Sequence, residues 1–542
     1  MSEAKTFLFL SIFILSISTF PYLYGVIITP PEHQFMGVIG SIEDTQSYLA
    51  WMKQAYDGAW FFEDKFTPEE HPANIFLPLW LILGRLARVS GLSLIMVYHL
   101  ARLIFGFTLL SAIYLFLKHS LLDPRLRRIA FLLICVSSGW GAILLTAYQI
   151  GFHFLEPLLL LDPVDLWMPE AITFWSLYWS PLFSISITIM LLIFILFLAS
   201  VDQITWRNPQ SAIRSMACVL LAGILGFFLV LTHPYDIVTV WTVVGLFSLI
   251  TFLYDQDKRK KIVISSLIFF SLSGLGIVWE WWTMRGNFLI QEWSKIPTIS
   301  FNPVGYILGL GLPLMIAPIG VPFTLKKGTP LARLGLIWIL VVPFLVYGPF
   351  NFQRRLIQGV HIPICIMATL GLFQILTWIE PYFNRRLLVR AFILLTIPSN
   401  LYRFGADFME LKANKHMEYL PLQTLEALAW LNKTAFPHET IFSSGKMGIF
   451  IPTQTGSRTF LGQWSQTLWV KEKKELVERF FSSQTDDGFR RKLLKVYRVH
   501  YLFYGPEERK LGGFNPEGKD YLEKRFENKS VSVYEIRRNL GR

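Results

Sequence analysis

The sequence predicts a polytopic α-helical membrane protein with about eleven transmembrane helices and a C-terminal exterior α/β domain. Of its 542 residues, 53% are hydrophobic and only 16% are charged, whereas soluble proteins carry about 25% charged residues. Apolar runs recur that are long enough to cross a hydrocarbon core of about 30 Å. The last part, residues 406–542, instead mixes charges of both signs with short amphipathic segments, which is typical of a water-exposed domain.

The first apolar segment, residues 7–28, follows Lys5 and could be mistaken for a signal peptide. No small-residue cleavage site follows it and many apolar segments come after, so we expect an uncleaved first span. The segment 75–89 is also apolar, but it is short and is interrupted by Arg85 and Arg88. Such a segment is more typical of a helix at the membrane surface than of one that spans the membrane.

Ten further spans complete the predicted transmembrane domain, residues 1–405, with residues 29–91 as its first exterior loop. The spans are expected at residues 92–117, 129–150, 173–200, 214–232, 237–254, 262–283, 303–323, 332–350, 359–379 and 388–404. Counting 75–89 as an additional full span would move every later loop to the opposite side of the membrane and place the basic loops outside.

With eleven spans, the basic clusters between them all fall on one side of the membrane, which the positive-inside rule identifies as the cytoplasm. These clusters contain Lys118, Arg125, Arg127, Arg128, Arg207, Arg214, Lys258, Arg259, Lys260, Lys261, Lys326, Lys327, Arg333, Arg385, Arg386 and Arg390. We therefore expect a multi-pass protein of the cell (plasma) membrane, with a cytoplasmic N-terminus and an exterior C-terminal domain.

The net charge of +12 would suit a nucleic-acid-binding protein if the chain were soluble. The cytoplasmic loops already explain the basic residues, so we expect membrane lipid and no nucleic acid as a partner. The three cysteines, Cys135, Cys218 and Cys365, lie in apolar segments without the spacing of metal ligands. Neither a disulfide framework nor a zinc site is predicted.

Residues 406–542 are predicted to form a small α/β layer. Helical periodicity is present in residues 422–429, 470–481 and 489–499, and strand-like patterns are present in 440–444, 500–504 and 531–536. The last of these strands has the alternation of an edge strand. No glycine-rich phosphate loop or nucleophile elbow is present, which indicates an accessory domain.

The first exterior loop carries the candidate catalytic residues Glu43 and Asp44. They open a short predicted helix in which Asp44 and Tyr48, four residues apart, share one face. A carboxylate at a bilayer surface is partly desolvated and can act as the general base that deprotonates an acceptor hydroxyl. The alternative is that Asp44 is the N-cap of a surface helix, for which aspartate is a favoured residue.

Two more polar clusters fall on the same side. Glu70 and His71, next to Glu69, are candidate ligands of a divalent cation, with solvated loop charge as the alternative. His233 and Asp236 sit between two spans that have almost no loop between them, so both are expected at the exterior membrane boundary. Ionisable groups near membrane depth are costly and often functional, and packing of the helix turn is the alternative.

Arg354 and Arg355, shortly before His361, are predicted to lie outside, against the positive-inside trend. Arginine binds phosphate through paired N–H groups and keeps its charge. A phosphate on a lipid-linked substrate would explain these arginines, and contact with ordinary headgroups is the alternative. Glu280 and Arg285, at the end of another span, are predicted to form an ion pair or to belong to the same substrate cavity.

This pattern resembles the GT-C superfamily of integral membrane glycosyltransferases, which includes the protein mannosyltransferases and the aminoarabinose transferases. The element Asp44-x-x-x-Tyr48 is similar to the Asp-Glu-x-x-Tyr motif that opens the first loop of many bacterial members, although Thr45 replaces the glutamate and Glu43 precedes the aspartate. The runs at 350–361 and 504–509 also resemble uncharacterised bacterial membrane proteins related to this superfamily.

The resemblance implies transfer of a sugar from a polyprenyl-phosphate donor to an exterior lipid, glycan or protein acceptor. Asp44, with Glu43, would be the general base or acceptor-positioning carboxylate, and Tyr48 would contact substrate. The two arginines, with His361, would hold the donor phosphate and stabilise the charge of the leaving group. No nucleotide is needed, because the phosphate leaves with the lipid carrier. A transporter or flippase of a lipid-linked saccharide and a non-catalytic membrane scaffold remain as alternatives.

Overall fold

The computed structural model describes residues 2–202, 212–379, 384–414 and 417–537. Arg207, which belongs to a predicted cytoplasmic cluster, lies outside these ranges. The chain divides into two compact units. Unit 1 consists of Met1–Pro21, Leu100–Trp281 and Pro297–Met409, and unit 2 consists of Tyr22–His99, Trp282–Ile296 and Glu410–Arg542.

The secondary structure of the described residues is mostly helical. In chain order the helices are α1 (Glu3–Ile27), α2 (Ile42–Asp57), α3 (Pro78–Ser90), α4 (Leu94–Ser120), α5 (Pro124–Val136), α6 (Gly141–Gln149), α7 (Glu156–Leu159), α8 (Thr173–Trp179), α9 (Pro181–Ser200), α10 (Ala212–Thr232), α11 (Asp236–Tyr254), α12 (Arg259–Arg285), α13 (Phe288–Lys295), α14 (Pro303–Lys327), α15 (Pro330–Val346), α16 (His361–Ile379), α17 (Arg385–Leu395), α18 (Pro398–Ala413), α19 (Leu422–Thr434), α20 (Gly445–Gly448), α21 (Ile451–Thr455), α22 (Val470–Phe481), α23 (Asp487–Val496) and α24 (Pro506–Leu511). The strands are β1 (His33–Phe35), β2 (Tyr419–Pro421), β3 (Thr440–Phe442), β4 (Arg458–Thr459), β5 (Val499–Tyr504), β6 (Leu522–Glu527) and β7 (Ser532–Ile536). Short 3-10 helices occupy His153–Leu155, Val164–Leu166, Gln256–Lys258 and Gln353–Ile357.

Eight helices of the described ranges are long and apolar enough to cross a membrane, namely α1, α4, α9, α10, α11, α12, α14 and α16. Two bent pairs, α5 with α6 and α17 with α18, qualify when each pair is taken as one broken span. Helix α15 is apolar but shorter. These segments coincide with the eleven predicted spans, and the chain is a multi-pass membrane protein as predicted.

Three predicted spans are interrupted, two of them in the bent pairs α5–α6 and α17–α18 and the third between α8 and α9. The prediction of a continuous helix over 173–200 is wrong, because Ser180 is extended (φ −141°, ψ 139°) and separates α8 from α9. Pro181 disfavours the helical conformation of the residue before it. The Ser180 hydroxyl accepts a hydrogen bond from the Leu182 N–H at 3.2 Å and so caps α9. The segment 75–89 forms the 13-residue helix α3, which is not among the candidate spans.

Glycines bring the membrane helices of unit 1 into close contact. A methyl group on Gly320 of α14 would overlap the backbone carbonyl oxygen of Met367 on α16, and one on Gly371 would overlap that of Ile316. Helices in a membrane associate largely by van der Waals packing, which favours small residues where backbones approach closely. The pair α14–α16 is therefore packed through its glycines.

Unit 2 contains a five-stranded mixed sheet in the order β4-β3-β5-β7-β6. β3 is parallel to β4 and β5, while β7 is antiparallel to β5 and β6. Side chains alternate between two apolar clusters, since successive strand residues face opposite sides of a sheet. Leu502 and Tyr534 belong to the cluster that includes Phe480 of α22, whereas Phe503 belongs to the cluster that includes Leu428 of α19. The predicted α/β layer is confirmed.

The prediction of an edge strand over 531–536 is wrong. β7 pairs with both β5 and β6, so it lies inside the sheet, and the edges are β4 and β6. β6 has the sequence Leu-Glu-Lys-Arg-Phe-Glu. Charged side chains are a common protection of an exposed sheet edge against pairing with another chain.

The first loop and the C-terminal part belong to the same unit. β1 pairs antiparallel with β2, with His33 opposite Pro421, and the Met36 N–H donates to the Glu418 carbonyl oxygen at 2.8 Å. A buried apolar cluster continues the contact, formed by Met36, Val38, Ile42, Leu420 and Phe450. Residues 410–542 are therefore joined to the loop that carries the candidate catalytic acids.

Candidate functional site

The acidic pair lies in the first turn of α2. The N-cap of this helix is Ser41, so the alternative that Asp44 is the N-cap is wrong. The Ser41 hydroxyl donates a hydrogen bond to Asp44 Oδ2 at 2.7 Å. Negative charge is favoured at a helix N-terminus, because the unpaired backbone N–H groups there carry partial positive charge. Glu43 and Asp44 therefore lie at the end of α2 where acidic residues are favoured.

A cavity of about 370 Å³ opens over this turn. Its lining residues are Gly40, Ser41, Ile42, Glu43, Asp44, Met417, Lys446, Ile449, Phe450 and Trp464. The Trp464 side chain is half exposed and Asp44 is exposed, so the cavity is open to solvent. It therefore offers two carboxylates, one ammonium and one indole ring to a bound molecule.

The turn that follows β4 contacts both acids. Gln463 Nε2 donates to Asp44 Oδ1 at 3.5 Å, and the backbone N–H of Trp464 donates to Glu43 Oε2 at the same distance. The residues before this turn pack closely on α20, because a methyl group on Gly448 would overlap the carbonyl oxygen of Leu461. The acids are thus held by residues from both ends of the chain.

The same turn is hydrogen-bonded to the first loop along its length. The Thr459 N–H donates to the Lys65 carbonyl oxygen at 2.8 Å, and the Thr467 hydroxyl donates to the Phe66 carbonyl oxygen at 2.9 Å. The Leu468 N–H donates to the Thr67 hydroxyl at 3.3 Å. These bonds determine the position of the turn relative to the loop.

Buried ion pairs surround these hydrogen bonds. Glu63 pairs with Lys65 and Arg458. Burial opposes the ionisation of Glu63, but the two cations outweigh it and lower the pKa of its carboxyl below the usual value. Lys473 pairs with Glu69 at 2.8 Å. Burial lowers the pKa of the Lys473 ammonium, and the pairing with Glu69 opposes that effect.

Asp64 is a further acidic residue of this region. It is fully buried, and burial raises the pKa of its carboxyl to about 8. Oδ1 accepts the Phe66 N–H at 2.7 Å, whereas Oδ2 has no hydrogen-bond partner among the described residues. Burial thus favours the protonated form of Asp64.

The structure does not bring Tyr48 to the cavity. Its ring stacks on Trp80 of α3, with ring centroids 4.5 Å apart and an interplanar angle of 11°. A methyl group on Gly84 of α3 would overlap the carbonyl oxygen of Met52 in α2, which shows how closely the two helices pack. Tyr48 thus belongs to the α2–α3 contact, and we do not retain it as a substrate contact.

The structure does not support a metal site at Glu70 and His71. His71 Nε2 accepts the Asp64 N–H at 2.9 Å, and Nδ1 donates to the Glu69 carbonyl oxygen at 2.8 Å, so both ring nitrogens are already used. Glu70 pairs with Arg498. Burial lowers the pKa of His71, which keeps the ring neutral. No group of three or more His, Cys, Asp or Glu side chains suited to a metal ion occurs in the part of the chain that the structure describes.

Unit 1 brings together two of the other predicted residues. His233 Nδ1 lies 3.0 Å from Asp236 Oδ2, and Gln358 Nε2 donates to the same oxygen at 2.8 Å. All three side chains are buried. The guanidinium of Arg355 lies over the ring of Tyr235, 4.8 Å from its centroid. Arg355 therefore stands beside the His233–Asp236 pair.

Aromatic rings also hold Arg354. Its guanidinium lies 5.3 Å from the ring centroid of Trp167 and 5.9 Å from that of Phe301. Its backbone N–H donates to the Thr298 carbonyl oxygen at 3.2 Å. Stacking uses the face of a guanidinium, while phosphate recognition uses the N–H groups in its plane. The stacking is therefore compatible with a phosphate ligand.

No family model and no curated protein matches the sequence. Solved structures do match. The archaeal oligosaccharyltransferase AglB from Archaeoglobus fulgidus, in complex with an inhibitory peptide and a dolichol-phosphate, superposes with a TM-score of 0.55 at 13% identity, covering 92% of this chain and 70% of that chain. ArnT from Cupriavidus metallidurans bound to undecaprenyl phosphate gives a TM-score of 0.53 at 10% identity, covering 97% of each chain. This chain has the GT-C fold. The resemblance predicted from the sequence is confirmed at the level of the fold.

Three predicted residues find less support in the structure. His361 is buried in unit 1, where Nδ1 lies 2.9 Å from the Thr173 hydroxyl and Nε2 lies 3.0 Å from the Ser137 hydroxyl. Both ring nitrogens are thus engaged inside the helix bundle, and we do not place His361 at a phosphate. Glu280 is half-buried near the end of α12, in unit 1, and Arg285 is exposed at the last residue of that helix, in unit 2.

Sequence reasoning missed Lys446, Gln463 and Trp464. All three lie in the C-terminal part, more than 400 positions after the acids that they accompany. A glutamine and a tryptophan in a turn form no motif, and Lys446 belongs to a four-residue helix. The pairing of β1 with β2 and the hydrogen bonds and ion pairs described above reveal that this part of the chain meets the first loop.

Proposed function

We propose that this protein is a membrane glycosyltransferase that moves a sugar from a polyprenyl-phosphate-linked donor to a hydroxyl of a lipid, glycan or protein acceptor. The observation that carries the proposal is the pair Glu43–Asp44, which lines an open cavity of about 370 Å³ at the start of α2. The fold supports it, because AglB and ArnT share this fold and were captured with dolichol-phosphate and undecaprenyl phosphate.

Asp44 is the proposed general base. Its carboxylate accepts the proton of the acceptor hydroxyl while the hydroxyl oxygen forms a bond to the anomeric carbon of the sugar. The bond between that carbon and the phosphate oxygen breaks, and the polyprenyl phosphate leaves with the electron pair. Glu43 keeps the local field negative and positions the acceptor. The lone pairs of Asp44 are oriented for this role by the Ser41 hydroxyl at 2.7 Å.

Arg354 and Arg355 are the proposed binding residues for the donor phosphate. Two guanidinium groups stabilise the charge that develops on a leaving phosphate and remain ionised at any physiological pH. Their stacking on aromatic rings limits the loss of side-chain entropy on binding. The buried pair His233–Asp236, next to Tyr235, supports the position of Arg355.

The proposed topology has the N-terminus in the cytoplasm and the acidic cavity on the exterior face of the plasma membrane. The basic clusters of the interhelical loops support this orientation. The donor would then be used on the exterior side, where no nucleotide sugar is required.

Sugar transfer by the purified protein in nanodiscs tests the catalytic proposal. A panel of radiolabelled polyprenyl-phosphate sugars serves as donor, with host membrane extract as acceptor. We expect Asp44→Asn to slow transfer about 100-fold or more, because a positioned general base contributes about that much. Asp57→Asn is the matched control, since Asp57 lies at the other end of α2 and pairs there with Lys53. Transfer by Asp44→Asn at the wild-type rate would refute the proposal.

Binding of polyprenyl phosphate tests the phosphate site separately. We expect Arg354→Ala to weaken binding about tenfold or more, which corresponds to the loss of one charge-assisted hydrogen bond. Arg259→Ala is the matched control, because Arg259 also lies over an aromatic ring, that of Phe252, at 5.4 Å. Equal affinities of wild type and Arg354→Ala would remove Arg354 from the donor site.

A further inference from the structure

Gln463 is a buried glutamine whose carbonyl oxygen is fully used within its own turn. Its Oε1 accepts hydrogen bonds from the Ser465 N–H at 2.7 Å, from the Ser465 hydroxyl at 2.8 Å and from the Gln466 N–H at 2.8 Å. An amide group cannot be flipped in such a site, because the flip would place N–H donors against three other donors. The orientation of Gln463 is therefore determined by its turn.

This orientation directs the amide N–H groups of Gln463 at the acidic pair. Nε2 lies 3.5 Å from Asp44 Oδ1, which is longer than a usual N–H···O hydrogen bond of about 2.7–3.2 Å and makes this a weak contact. Hydrogen bonds of catalytic groups are often long before substrate binds and shorten in the reactive complex. The Ser41 hydroxyl holds the other oxygen, Oδ2. Both oxygens of Asp44 therefore face a neutral donor.

The backbone around Gln463 is anchored on both sides. The Thr467 hydroxyl accepts the Gly462 N–H at 3.0 Å and donates to the Phe66 carbonyl oxygen, and the Thr467 N–H donates to the Gln463 carbonyl oxygen at 2.9 Å. Only 2% of the Gln463 side chain is exposed. The amide is thus part of a turn whose position relative to the first loop is determined by hydrogen bonds.

We propose that Gln463 is a positioning residue that orients the Asp44 carboxylate toward the acceptor by donating to its Oδ1 oxygen. The inference rests on the proposed function, since it assigns a role in that reaction. It also gives residues 410–542 a part in catalysis, in place of the accessory role predicted from the sequence. Glu43 and Lys446 are the other ionisable residues that line the cavity with Asp44, so they are kept unchanged in every variant.

The test combines transfer kinetics with a direct titration of Asp44. We expect Gln463→Ala to lower kcat about tenfold to hundredfold, because a carboxylate that is no longer oriented is less often aligned with the acceptor hydroxyl, while KM for donor and acceptor stays within about twofold. The acid limb of the pH–rate profile should move to higher pH by about one unit. Gln463→Glu should move it further, because a second carboxylate then faces Asp44.

The titration uses carbodiimide labelling of the exposed Asp44, read by peptide mass spectrometry over a series of pH values. Only the protonated acid reacts, so the midpoint of labelling reports its ionisation without any turnover. We expect the midpoint to rise in Gln463→Ala and to stay unchanged in Gln466→Ala. Gln466 is the matched control on the same turn, and its side-chain oxygen has no hydrogen-bond partner among the described residues.

The outcomes separate the two proposals. A shifted midpoint in a protein that transfers no sugar would support the positioning of Asp44 and overturn the proposed function. Normal transfer with an unshifted midpoint and unchanged kcat in Gln463→Ala would overturn the positioning role alone. A fall in kcat with an unshifted acid limb and an unshifted midpoint would also overturn the positioning role. A purely structural effect lowers kcat without changing the ionisation of Asp44.

Discussion

Replacing Glu69 by glutamine tests whether the buried ion pair holds the first loop on the C-terminal part. The Lys473 side chain is only 1% exposed and that of Glu69 is 16% exposed, with 2.8 Å between the charged atoms. Lys473 also donates to the Thr67 hydroxyl at 3.0 Å. In Glu69→Gln the ammonium remains buried without its carboxylate.

Removing one partner of a buried pair costs about 3–5 kcal/mol, because the other charge is left uncompensated. Asp64 also interacts with Lys473, but burial opposes the ionisation of its carboxyl, so it compensates the ammonium only in part. We therefore expect about 3 kcal/mol or more. For a unit of this size, each kcal/mol lowers the melting temperature by about 2–4 °C, which gives a decrease of about 6–12 °C.

The assay is thermal unfolding of the full chain in detergent, followed by tryptophan fluorescence. The double variant Glu69→Gln/Lys473→Met should recover most of the loss, since a buried pair replaced on both sides is often neutral. The matched control is Glu292→Gln, which breaks the exposed pair of Glu292 with Lys295 in the same unit and should cost at most about 1 kcal/mol. Equal melting temperatures for Glu69→Gln and Glu292→Gln would refute the reasoning.

Two further predictions use the same unfolding assay, and a third uses the sugar-transfer assay. The pKa of Asp64 is about 8 in the folded chain against an ordinary value of 3.8, so its stabilising contribution is complete below pH 4 and is lost as pH rises to 8. Asp64→Asn should therefore melt higher than wild type at pH 8 and equally at pH 4. Gly320→Ala should cost about 1–3 kcal/mol by overpacking, whereas Gly405→Ala, which meets no atom within 4 Å, should be neutral or mildly stabilising. Tyr48→Phe should keep the stacking on Trp80 and the transfer rate, and only a lower rate would return Tyr48 to the substrate site.

Hydropathy predicted the apolar membrane helices well, because the bilayer imposes length and composition on every spanning segment. The same rules do not see a helix break inside an apolar stretch. Ser180 and Pro181 lie in such a stretch, and the break between α8 and α9 was therefore missed. The edge of the sheet was predicted wrongly for a similar reason. The sequence of β6 is charged like that of a loop, and only its pairing with β7 identifies it as a strand.

For the candidate site, the sequence predicted the acids and not the residues that hold them. Glu43 and Asp44 form a recognisable local motif, whereas Gln463 acts through an orientation that depends on a hydrogen-bonded turn. For His361, the sequence predicted a role in the site that the structure does not support. A histidine near two arginines suggested a phosphate site, but its ring points into the bundle toward Ser137 and Thr173. Such orientations depend on tertiary packing and have no signature in spacing.

The fate of the donor in proteoliposomes tests the central claim most directly. A polyprenyl-phosphate sugar with label in both the sugar and the lipid is placed in vesicles that contain the purified protein, with acceptor on one side. We expect cleavage, with one polyprenyl phosphate released for each sugar that appears on acceptor, and loss of both products in Asp44→Asn. Movement of the intact donor across the bilayer without cleavage would rule out the glycosyltransferase and identify a transporter instead.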